Sequence, residues 1–355
     1  MKRFAVIGAG NGGQCISAYL KLCGKEVRLY ERFSQILDPI LERGGITLAG
    51  ASLQGFAKLD LITGVMAEAV EGAEMIFVVL PAFAHEYIAQ ELARCLVDGQ
   101  TVILCPGSTG GALEFRRVLR ERGCQAKIRL AETNSLFYAA RSDGEKATII
   151  AVKDELSLAA LPGTDTEGII EDLKDVYPQL IPEVHVLATG LNNMNITVHP
   201  LPVLLNTGRI ESGQHYKHYF EGMTPSIGKA MEALDQERMA VGKALGLSLI
   251  SIREAYRRYY RSEAEEICDL VKMVDGHKPI MAPTSLDSRL ITEDIPMGVV
   301  PVAELGRALG VPTPLMDATI ALASVMAGQD FRREGRNLRR LGIEGLTGEE
   351  LLKQL

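Results

Sequence analysis

The stretch RFAVIGAGNGG, residues 3–13, decides the fold of the first half of the chain. Its residues 4–7 are contiguous and apolar, which is typical of a buried strand in a parallel sheet. Gly8, Gly10 and Gly13 follow with the spacing G-x-G-x-x-G, and a helical pattern comes next. Gly8 permits a tight turn, Gly10 lets the backbone approach a pyrophosphate, and Gly13 lets helix and strand pack closely. The stretch therefore predicts a dinucleotide-binding unit whose helix N-terminus holds the phosphates.

The end of the next strand bears on which nicotinamide dinucleotide is bound. Residues 26–30 are predicted to form this strand, and Glu31 follows it directly. A carboxylate there accepts hydrogen bonds from the ribose hydroxyls of NAD, whereas the neighbouring Arg32 could grip the 2′-phosphate of NADP. We favour NAD slightly because Glu31 holds the strand-end position, and NADP stays open. Asn11, inside the glycine turn, is counted with the glycines as a cofactor-binding residue.

Strands and helices continue to alternate through the first half of the chain. Further strands are predicted at residues 74–80, 101–105, 127–132 and 148–152, the last of which closes the sheet. Doubly wound sheets hold ligands at the carboxyl ends of their strands, so the nicotinamide and part of a substrate are expected near residues 81–85, which begin with Pro81, and near the loop 107–111. A tight turn without a ligand is the alternative for that loop. Thr133 is taken as a substrate-binding residue, and His85, which opens a helix, as a surface residue rather than a catalyst.

Residues 192–206, NNMNITVHPLPVLLN, mark a change in pattern, because almost everything after them is helical. The sequence therefore predicts an α/β domain with a doubly wound parallel sheet over residues 1–190 and an all-α domain over residues 191–355. His199 is pinned by Pro200 and flanked by asparagines, whose neutral amides bind polar ligands. A histidine so placed is a candidate for proton transfer, since its pKa lies close to working pH. The alternative, a hydrogen-bonded core histidine at a helix start, stays open.

A polar, turn-rich segment between helices, residues 282–301, carries the second set of candidates. Arg289 could clamp a substrate carboxylate with two hydrogen bonds. Asp294 could hold a histidine in one tautomer and stabilise its protonated form. The alternatives are a surface ion pair for Arg289 and helix capping for Asp294, and the pattern alone does not choose between them.

Composition excludes several classes of function. The 355 residues carry a net charge of −7, which argues against nucleic acid as the main partner. Arginines and tyrosines interleave between residues 251 and 261, and this stretch is interpreted as a solvated or subunit-contacting helix face. The six cysteines lack metal-ligand spacing, so no metal site and a reducing, cytoplasmic compartment are expected. No apolar run reaches the about 18 residues of a membrane span.

Several stretches together resemble one known family. They are residues 8–13, residues 132–140 (ETNSLFYAA), residues 195–200 (NITVHP), residues 224–246 with Asp235, Glu237 and Arg238, and residues 289–296 running on to Pro314. In this order they resemble the octopine/nopaline dehydrogenases, also called opine dehydrogenases, over nearly the whole chain. The glycine stretch is generic to dinucleotide-binding proteins, whereas the last three stretches are far more specific.

The resemblance implies a Rossmann domain followed by a helical domain, and it implies a reaction. Family members use NADH or NADPH to join the amino group of an amino acid to the carbonyl carbon of a 2-oxo acid such as pyruvate. It places the catalytic histidine on His199, its partner aspartate on Asp294 and the carboxylate-binding arginine on Arg289. Asn195 is added as a substrate-binding residue. Leu290 stands where members often have an aromatic residue, so substrate identity stays open; the oligomeric state is not fixed, and a homodimer is kept as a hypothesis.

The sequence leaves two other hypotheses. Ketopantoate reductases and glycerol-3-phosphate dehydrogenases share the plan of a Rossmann domain followed by helices, but they usually rely on a catalytic lysine. No lysine stands beside Asn195 or His199 in the sequence. A nucleotide sensor without catalysis is the third hypothesis, and the presence of His199, Asp294 and Arg289 argues against it.

Overall fold

The computed structural model describes residues 2–355 of the chain. The chain divides into two compact units. The first ends at Gly190 and also contains Leu355, and the second runs from Leu191 to Gln354. None of the helices within residues 2–355 combines the length and the apolar character that crossing a bilayer requires.

Strands occur only in the first unit, as far as the described residues show. They are β1 Arg3–Ile7, β2 Glu26–Tyr30, β3 Gly45–Gly50, β4 Gly55–Lys58, β5 Leu61–Thr63, β6 Met75–Val78, β7 Thr101–Leu104, β8 Arg129–Thr133, β9 Tyr138–Asp143, β10 Lys146–Val152, β11 Leu156–Ala160 and β12 Leu180–Pro182. The helices up to the unit boundary are α1 Asn11–Leu22, α2 Ser34–Arg43, α3 Met66–Val70, α4 His85–Leu92, α5 Gly111–Glu121, α6 Thr166–Leu173 and α7 Val186–Leu191. Short 3-10 turns cover Ala82–Ala84 and Gly163–Asp165.

Most of these strands form one eight-stranded sheet in the order β12-β11-β8-β7-β6-β1-β2-β5. Strands β1, β2, β5, β6, β7 and β8 pair in parallel, whereas β11 is antiparallel to β8. The carboxyl ends of β1, β6, β7 and β8 therefore meet at one edge, which is where such sheets hold ligands. The predicted fold class, a doubly wound parallel sheet followed by helices, is confirmed.

The prediction that residues 148–152 close this sheet is wrong. Strand β10 lies in a second, four-stranded sheet with the order β4-β3-β10-β9, and β11 with β12 completes the large sheet. The burial pattern gives the reason: β11 is buried at every position, whereas β10 alternates between buried and exposed side chains over most of its length. Continuous burial suits a strand covered on both faces, and alternation suits a sheet with one solvated face.

Helix α1 packs against strands of both sheets and has most of its residues buried. The core of this unit contains a cluster of aromatic rings, in which Phe137 stacks on Tyr177 with 4.0 Å between ring centroids. Phe77 of β6 meets both rings edge-on. The core thus ties the large sheet to the residues that follow β8.

The second unit is helical in its described residues, apart from one antiparallel bridge between Lys217 and Met281. Its helices are α8 Asn195–Val198, α9 Pro200–Leu205, α10 Thr207–Glu211, α11 His218–Glu221, α12 Pro225–Ala244, α13 Ile252–Tyr260, α14 Ile267–Lys272, α15 Arg289–Thr292, α16 Val300–Ala308, α17 Pro314–Ala327, α18 Phe331–Glu334, α19 Leu338–Leu341 and α20 Gly348–Leu352. A 3-10 turn covers Asp275–His277, and a π-helical turn, Ile295–Val299, leads into α16.

Helix α12 carries an ion pair that organises its surroundings. Arg238 is fully buried, pairs with Asp235 at 2.7 Å, and donates to the backbone oxygens of Leu191 and Ile250 at 2.7 and 2.6 Å. Asp235 in turn accepts from the backbone N–H of Ile252 at 2.8 Å. Because each charge is paired and its remaining hydrogen-bonding capacity is used, burial is tolerated. Asp235 and Arg238 therefore fix three chain segments in place.

Candidate active site

The glycine turn between β1 and α1 has the geometry that a dinucleotide pyrophosphate needs. Gly8 has a φ of +106°, and a Cβ there would lie 2.7 Å from the backbone oxygen of Val79. A Cβ on Gly13 would lie 1.8 Å from the backbone oxygen of Gly8, so only glycine lets α1 approach β1 this closely. Gly10, at the N-cap of α1, is exposed, and a Cβ there would meet nothing within 4 Å. The open side of the turn lies at the helix N-terminus, which favours negative charge.

Glu31 lies beside this turn and is almost completely buried. One carboxylate oxygen accepts from the N–H of Ala9 at 2.9 Å and the other from the N–H of Phe33 at 3.0 Å. These bonds hold the carboxylate at the end of β2, and each oxygen keeps a second acceptor direction for a ribose hydroxyl. Arg32 is exposed, with its guanidinium carbon 4.6 Å from the ring centroid of Tyr87 and 5.0 Å from that of Phe33.

The other residues predicted in the first unit are placed less favourably. The amide oxygen of Asn11 accepts from the N–H and hydroxyl of Ser142 at 2.8 and 2.9 Å, so it fastens α1 to β9. Thr133 is fully buried, and its hydroxyl donates to the backbone oxygen of Ser135 at 2.7 Å. The Thr133 hydroxyl is thus already bonded within its turn, and the role of Thr133 in substrate binding stays a prediction. Pro81 lies just past β6 at the edge where ligands are expected, before the turn Ala82–Ala84.

The interpretation of His85 as a surface residue is wrong. His85 does open helix α4, but it is 0 % exposed. Helices α4 and α5 pack together, and a Cβ on Gly111 at the start of α5 would lie 3.4 Å from Nδ1 of His85. The helix therefore turns this ring inward, against the neighbouring helix.

Two residues predicted to act together are in contact in the second unit. His199 joins α8 to α9, just before Pro200, and Asp294 immediately precedes the turn Ile295–Val299. Nδ1 of His199 lies 2.8 Å from Oδ2 of Asp294, and the two side chains are 15 % and 13 % exposed. Since a carboxylate accepts here, Nδ1 carries the proton and the neutral ring has its lone pair at Nε2.

Tyr219 occupies that second nitrogen, and sequence reasoning missed it. Its hydroxyl lies 3.0 Å from Nε2 of His199. Burial, followed by the nearby Tyr260 and Asp294, raises the pKa of Tyr219, so the phenol stays protonated and donates to the neutral ring. The signal in the sequence is slight: an aromatic run, YKHYF at residues 216–220, that stands next to no recognised motif.

Two further histidines surround this phenol, and burial keeps both neutral. The ring of His277 stacks on Tyr219 with 3.8 Å between centroids and 11° between planes, and His218 meets Tyr219 edge-on at 4.7 Å. Burial lowers the pKa of His218 to about 4 and also lowers the pKa of His277. His218 donates from Nε2 to the backbone oxygen of Val198 at 3.0 Å. Of the three imidazoles, His199 alone pairs with a carboxylate among the described residues.

Arg289 and Asn195 belong to the same unit, and both side chains are exposed. Nε and Nη2 of Arg289 both lie 2.5 Å from Oε2 of Glu293, and the Arg289 side chain is 65 % exposed. Asn195 stands one turn before His199, and its side chain is exposed. Within residues 2–355 no group of three or more His, Cys, Asp or Glu side chains is arranged to hold a metal ion.

Comparison with known families gives matches to both halves of the chain. Residues 182–327 match the family model of the NAD/NADP octopine/nopaline dehydrogenase α-helical domain. Residues 4–125 match the ketopantoate reductase PanE/ApbA model. The opine dehydrogenase of Arthrobacter sp. (strain 1C) is 41% identical over 347 residues, which are 98% of this chain and 96% of that protein.

Solved structures show the same fold at lower sequence identity. Octopine dehydrogenase with NADH and L-arginine superposes with a TM-score of 0.84 at 21% identity, over 99% of this chain and 98% of that one. Yersinopine dehydrogenase with NADP⁺ gives a TM-score of 0.80 at 16% identity, over 99% and 95%. One of these relatives was solved with NADH and the other with NADP⁺, so the fold by itself does not choose between the two cofactors.

Proposed function

The chain belongs to the opine dehydrogenase family, and from this premise we propose that it condenses an amino acid with a 2-oxo acid such as pyruvate, reductively and reversibly. Membership makes it an NAD(P)-dependent oxidoreductase acting on the CH–NH group of donors. The new bond joins the amino nitrogen to the former carbonyl carbon, and the product is an N-(carboxyalkyl) amino acid. The observation that supports this chemistry most is the contact between His199 and Asp294.

The proposed proton transfers start from His199. As the amine adds to the carbonyl carbon, one proton passes from the nitrogen by way of Nε2 of His199 to the carbonyl oxygen, which becomes the hydroxyl of the carbinolamine. His199 then takes up a second proton from solvent and gives it to that hydroxyl, which departs as water and leaves the protonated imine. Asp294 holds Nδ1–H and stabilises the imidazolium while it carries the proton. When bound at the glycine turn, a reduced nicotinamide dinucleotide supplies the hydride that reduces the imine carbon.

Tyr219 is proposed to lie on this proton route. Its hydroxyl donates to Nε2, so the proton-accepting nitrogen is already hydrogen-bonded in the structure. A hydroxyl can donate its own hydrogen while its oxygen accepts another. Tyr219 can therefore pass a proton between substrate and His199 without a lasting change of charge, and the raised pKa of Tyr219 keeps it from becoming a phenolate.

Arg289 is proposed to bind a carboxylate of the 2-oxo acid. A guanidinium has five N–H donors, and the pairing with a single oxygen of Glu293 leaves donors for a second acceptor. Its exposure means that the contact with Glu293 contributes little to stability, so a substrate carboxylate can compete for it. Asn195 remains proposed as a neutral hydrogen-bonding residue for the substrate.

NAD is the proposed cofactor, with NADP as the alternative. Glu31 is held at the end of β2 by two backbone N–H groups, so its carboxylate cannot swing away from the adenosine ribose. A fixed negative charge there accepts from ribose hydroxyls and repels a 2′-phosphate. Comparing kcat/KM for NADH and NADPH tests this preference, and a higher value for NADPH would assign the site to Arg32.

The proposed reaction is tested by following NADH oxidation while substrates are omitted one at a time. Pyruvate is added alone, then with each amino acid of a panel. Oxidation that requires both partners is the result expected for a reductive condensation. Oxidation with pyruvate alone would make the protein a simple 2-oxo acid reductase, the chemistry suggested by the match of residues 4–125. No oxidation with any pair, despite NADH binding, would indicate a nucleotide sensor.

A further inference from the structure

Lys153, directly after β10, is held against the turn that follows β8. Its backbone N–H donates to the oxygen of Phe137 at 3.2 Å, and its Nζ donates to the hydroxyl of Ser135 at 2.7 Å. The turn itself is fixed, because the Thr133 hydroxyl donates to the backbone oxygen of Ser135. The ammonium group of Lys153 is therefore placed by a rigid piece of backbone.

This position lies at the ligand-binding edge of the large sheet. Strand β8 continues the parallel set of β1, β6 and β7, so the turn after it emerges on the same edge as the glycine turn. Leu136 of this turn packs beside the start of α1, since its side chain lies 3.0 Å from where a Cβ on Gly12 would be. Lys153 thus stands near the carboxyl ends of the strands, where open α/β sheets bind their ligands.

The charge of Lys153 has no partner within the described residues. Lys2, Lys21 and Lys25 are also partly buried, and each forms an ion pair with an aspartate. Lys153 forms no ion pair with any side chain of residues 2–355, and it uses one of its three N–H donors, on Ser135. Burial alone lowers the pKa of Lys153 to about 8. Asp154 and Glu155, the next residues, are exposed.

A structural role alone does not account for this arrangement. Holding the turn needs a single donor, which a neutral side chain could supply without the cost of removing an ammonium from water. A desolvated ammonium with two unused N–H donors is instead stabilised when a negatively charged oxygen accepts hydrogen bonds from it. A lysine serves that purpose as a compact charge with rotatable donors.

We propose that Lys153 is an oxyanion-binding group of the ligand site, taking either a phosphate of the dinucleotide or a carboxylate of the 2-oxo acid. The dinucleotide branch rests on family membership, and the carboxylate branch rests on the proposed function. Both sources share the same chemistry, an anionic oxygen at the carboxyl edge of the sheet, and binding measurements separate them.

Four variants test the proposal. Lys153→Met removes the charge at similar length, Lys153→Arg keeps it, and Ser135→Ala removes the hydrogen bond but leaves the ammonium. Lys146→Met is the matched control, because Lys146 is an exposed lysine at the start of β10, the strand that Lys153 follows. NADH affinity is measured by fluorescence titration, and pyruvate affinity for the enzyme–NADH complex by calorimetry, so neither readout needs turnover.

The expected result is a loss of about tenfold to a hundredfold in one of the two affinities for Lys153→Met. Loss for NADH identifies the phosphate and loss for pyruvate identifies the carboxylate. Lys153→Arg and Lys146→Met stay within about threefold of the parent protein, and Ser135→Ala, which keeps the charge but not its hydrogen bond, loses less affinity than Lys153→Met. In the parent protein the affected affinity also falls as pH rises through about 8, because the ammonium loses its proton, and Lys153→Arg abolishes that fall. Unchanged affinities in Lys153→Met, whether or not its melting temperature drops, would overturn the proposal. If pyruvate fails to bind even the complex of the parent protein with NADH, the proposed condensation with pyruvate is contradicted. The NADH titration then still tests whether Lys153 binds a phosphate of the dinucleotide.

Discussion

At the scale of single residues, a histidine that moves protons needs one ring nitrogen anchored and the other able to exchange. His199 meets both conditions, with Nδ1 on Asp294 and Nε2 on the hydroxyl of Tyr219. We expect His199→Ala to bind NADH as the parent protein does and to lose about a hundredfold to ten-thousandfold in kcat. Steady-state kinetics with a titration of NADH fluorescence measure both quantities. Full turnover in the variant would remove His199 from the mechanism.

Tyr219→Phe tests the role of the Tyr219 hydroxyl separately from that of the aromatic ring. The variant keeps the stack on His277 and loses only the hydroxyl that bonds His199. We expect kcat to fall by about tenfold or more, with KM values for NADH and pyruvate nearly unchanged, since the loss concerns proton transfer rather than binding. The pH profile of kcat should shift as well, which a purely packing role would not produce. An unaltered kcat and pH profile would exclude Tyr219 from the proton route.

Arg289→Ala tests the carboxylate contact. Because charge-assisted hydrogen bonds are lost, KM for the 2-oxo acid should rise by about tenfold to a hundredfold, while KM for NADH changes little. Arg333→Ala serves as a control, as its side chain is also exposed and paired with a neighbouring glutamate. Equal KM values for the oxo acid in the two variants would reject the clamp.

The sequence predicted those candidate site residues that lie in a distinctive motif or whose role depends on neighbours in the sequence. His199 and Asp294 were placed through the resemblance, and their contact depends on folding that no local pattern encodes. Tyr219 was missed because its hydroxyl reaches His199 only after helix α11 packs beside α8, as the bond from His218 to Val198 shows. The hydroxyl of Thr133 is bonded within its own turn, which its position in the sequence does not reveal.

At the scale of elements, the turn between β1 and α1 provides a matched pair of glycines. Gly13→Ala places a Cβ 1.8 Å from the backbone oxygen of Gly8, so we expect a destabilisation of about 2 kcal/mol or more and a lower melting temperature. Gly10→Ala meets nothing within 4 Å and should cost under about 1 kcal/mol, yet weaken NADH binding where the pyrophosphate approaches. Thermal melting and NADH titration distinguish the two; equal melting temperatures would contradict this account of the turn.

Helix α11 should make the stability of the protein depend on pH through His218. Burial lowers the folded-state pKa of this ring from 6.5 to about 4, so the unfolded chain binds the proton more readily in that range. The stability that neutral His218 allows is present above pH 6.5 and is lost as pH falls towards 4, by about 3 kcal/mol in all. Melting temperatures of the parent protein and His218→Gln over this range measure it, and the variant should show a shallower decline. Parallel curves would contradict the assignment.

The sequence pattern predicted half of the strands, but it assigned residues 148–152 to the wrong sheet. A run of apolar residues in the sequence does not reveal which of two sheets it will join. That choice depends on whether one face or both become covered, and only the folded chain shows that β10 leaves one face exposed. The buried pair of Asp235 and Arg238 joins α12 to backbone that is distant in sequence. Helical periodicity does not predict these contacts.

At the scale of the whole molecule, the first unit carries the turn proposed to bind the dinucleotide, and the second carries the residues proposed to transfer protons. Residues 4–125, in the first unit, match a ketopantoate reductase model, and residues 182–327 match the octopine/nopaline dehydrogenase helical-domain model. The first unit alone therefore does not distinguish reduction of a carbonyl from reduction of an imine. Identifying the product distinguishes reduction of the carbonyl from reduction of the imine.

The most direct test is the mass of that product when the reaction is run with pyruvate, an accepted amino acid and NADH deuterated at the transferred position. The account predicts one compound that contains both substrates less one water, plus one deuterium on the carbon that was the carbonyl and one proton. Deuterated lactate, with the amino acid recovered unchanged, would contradict it.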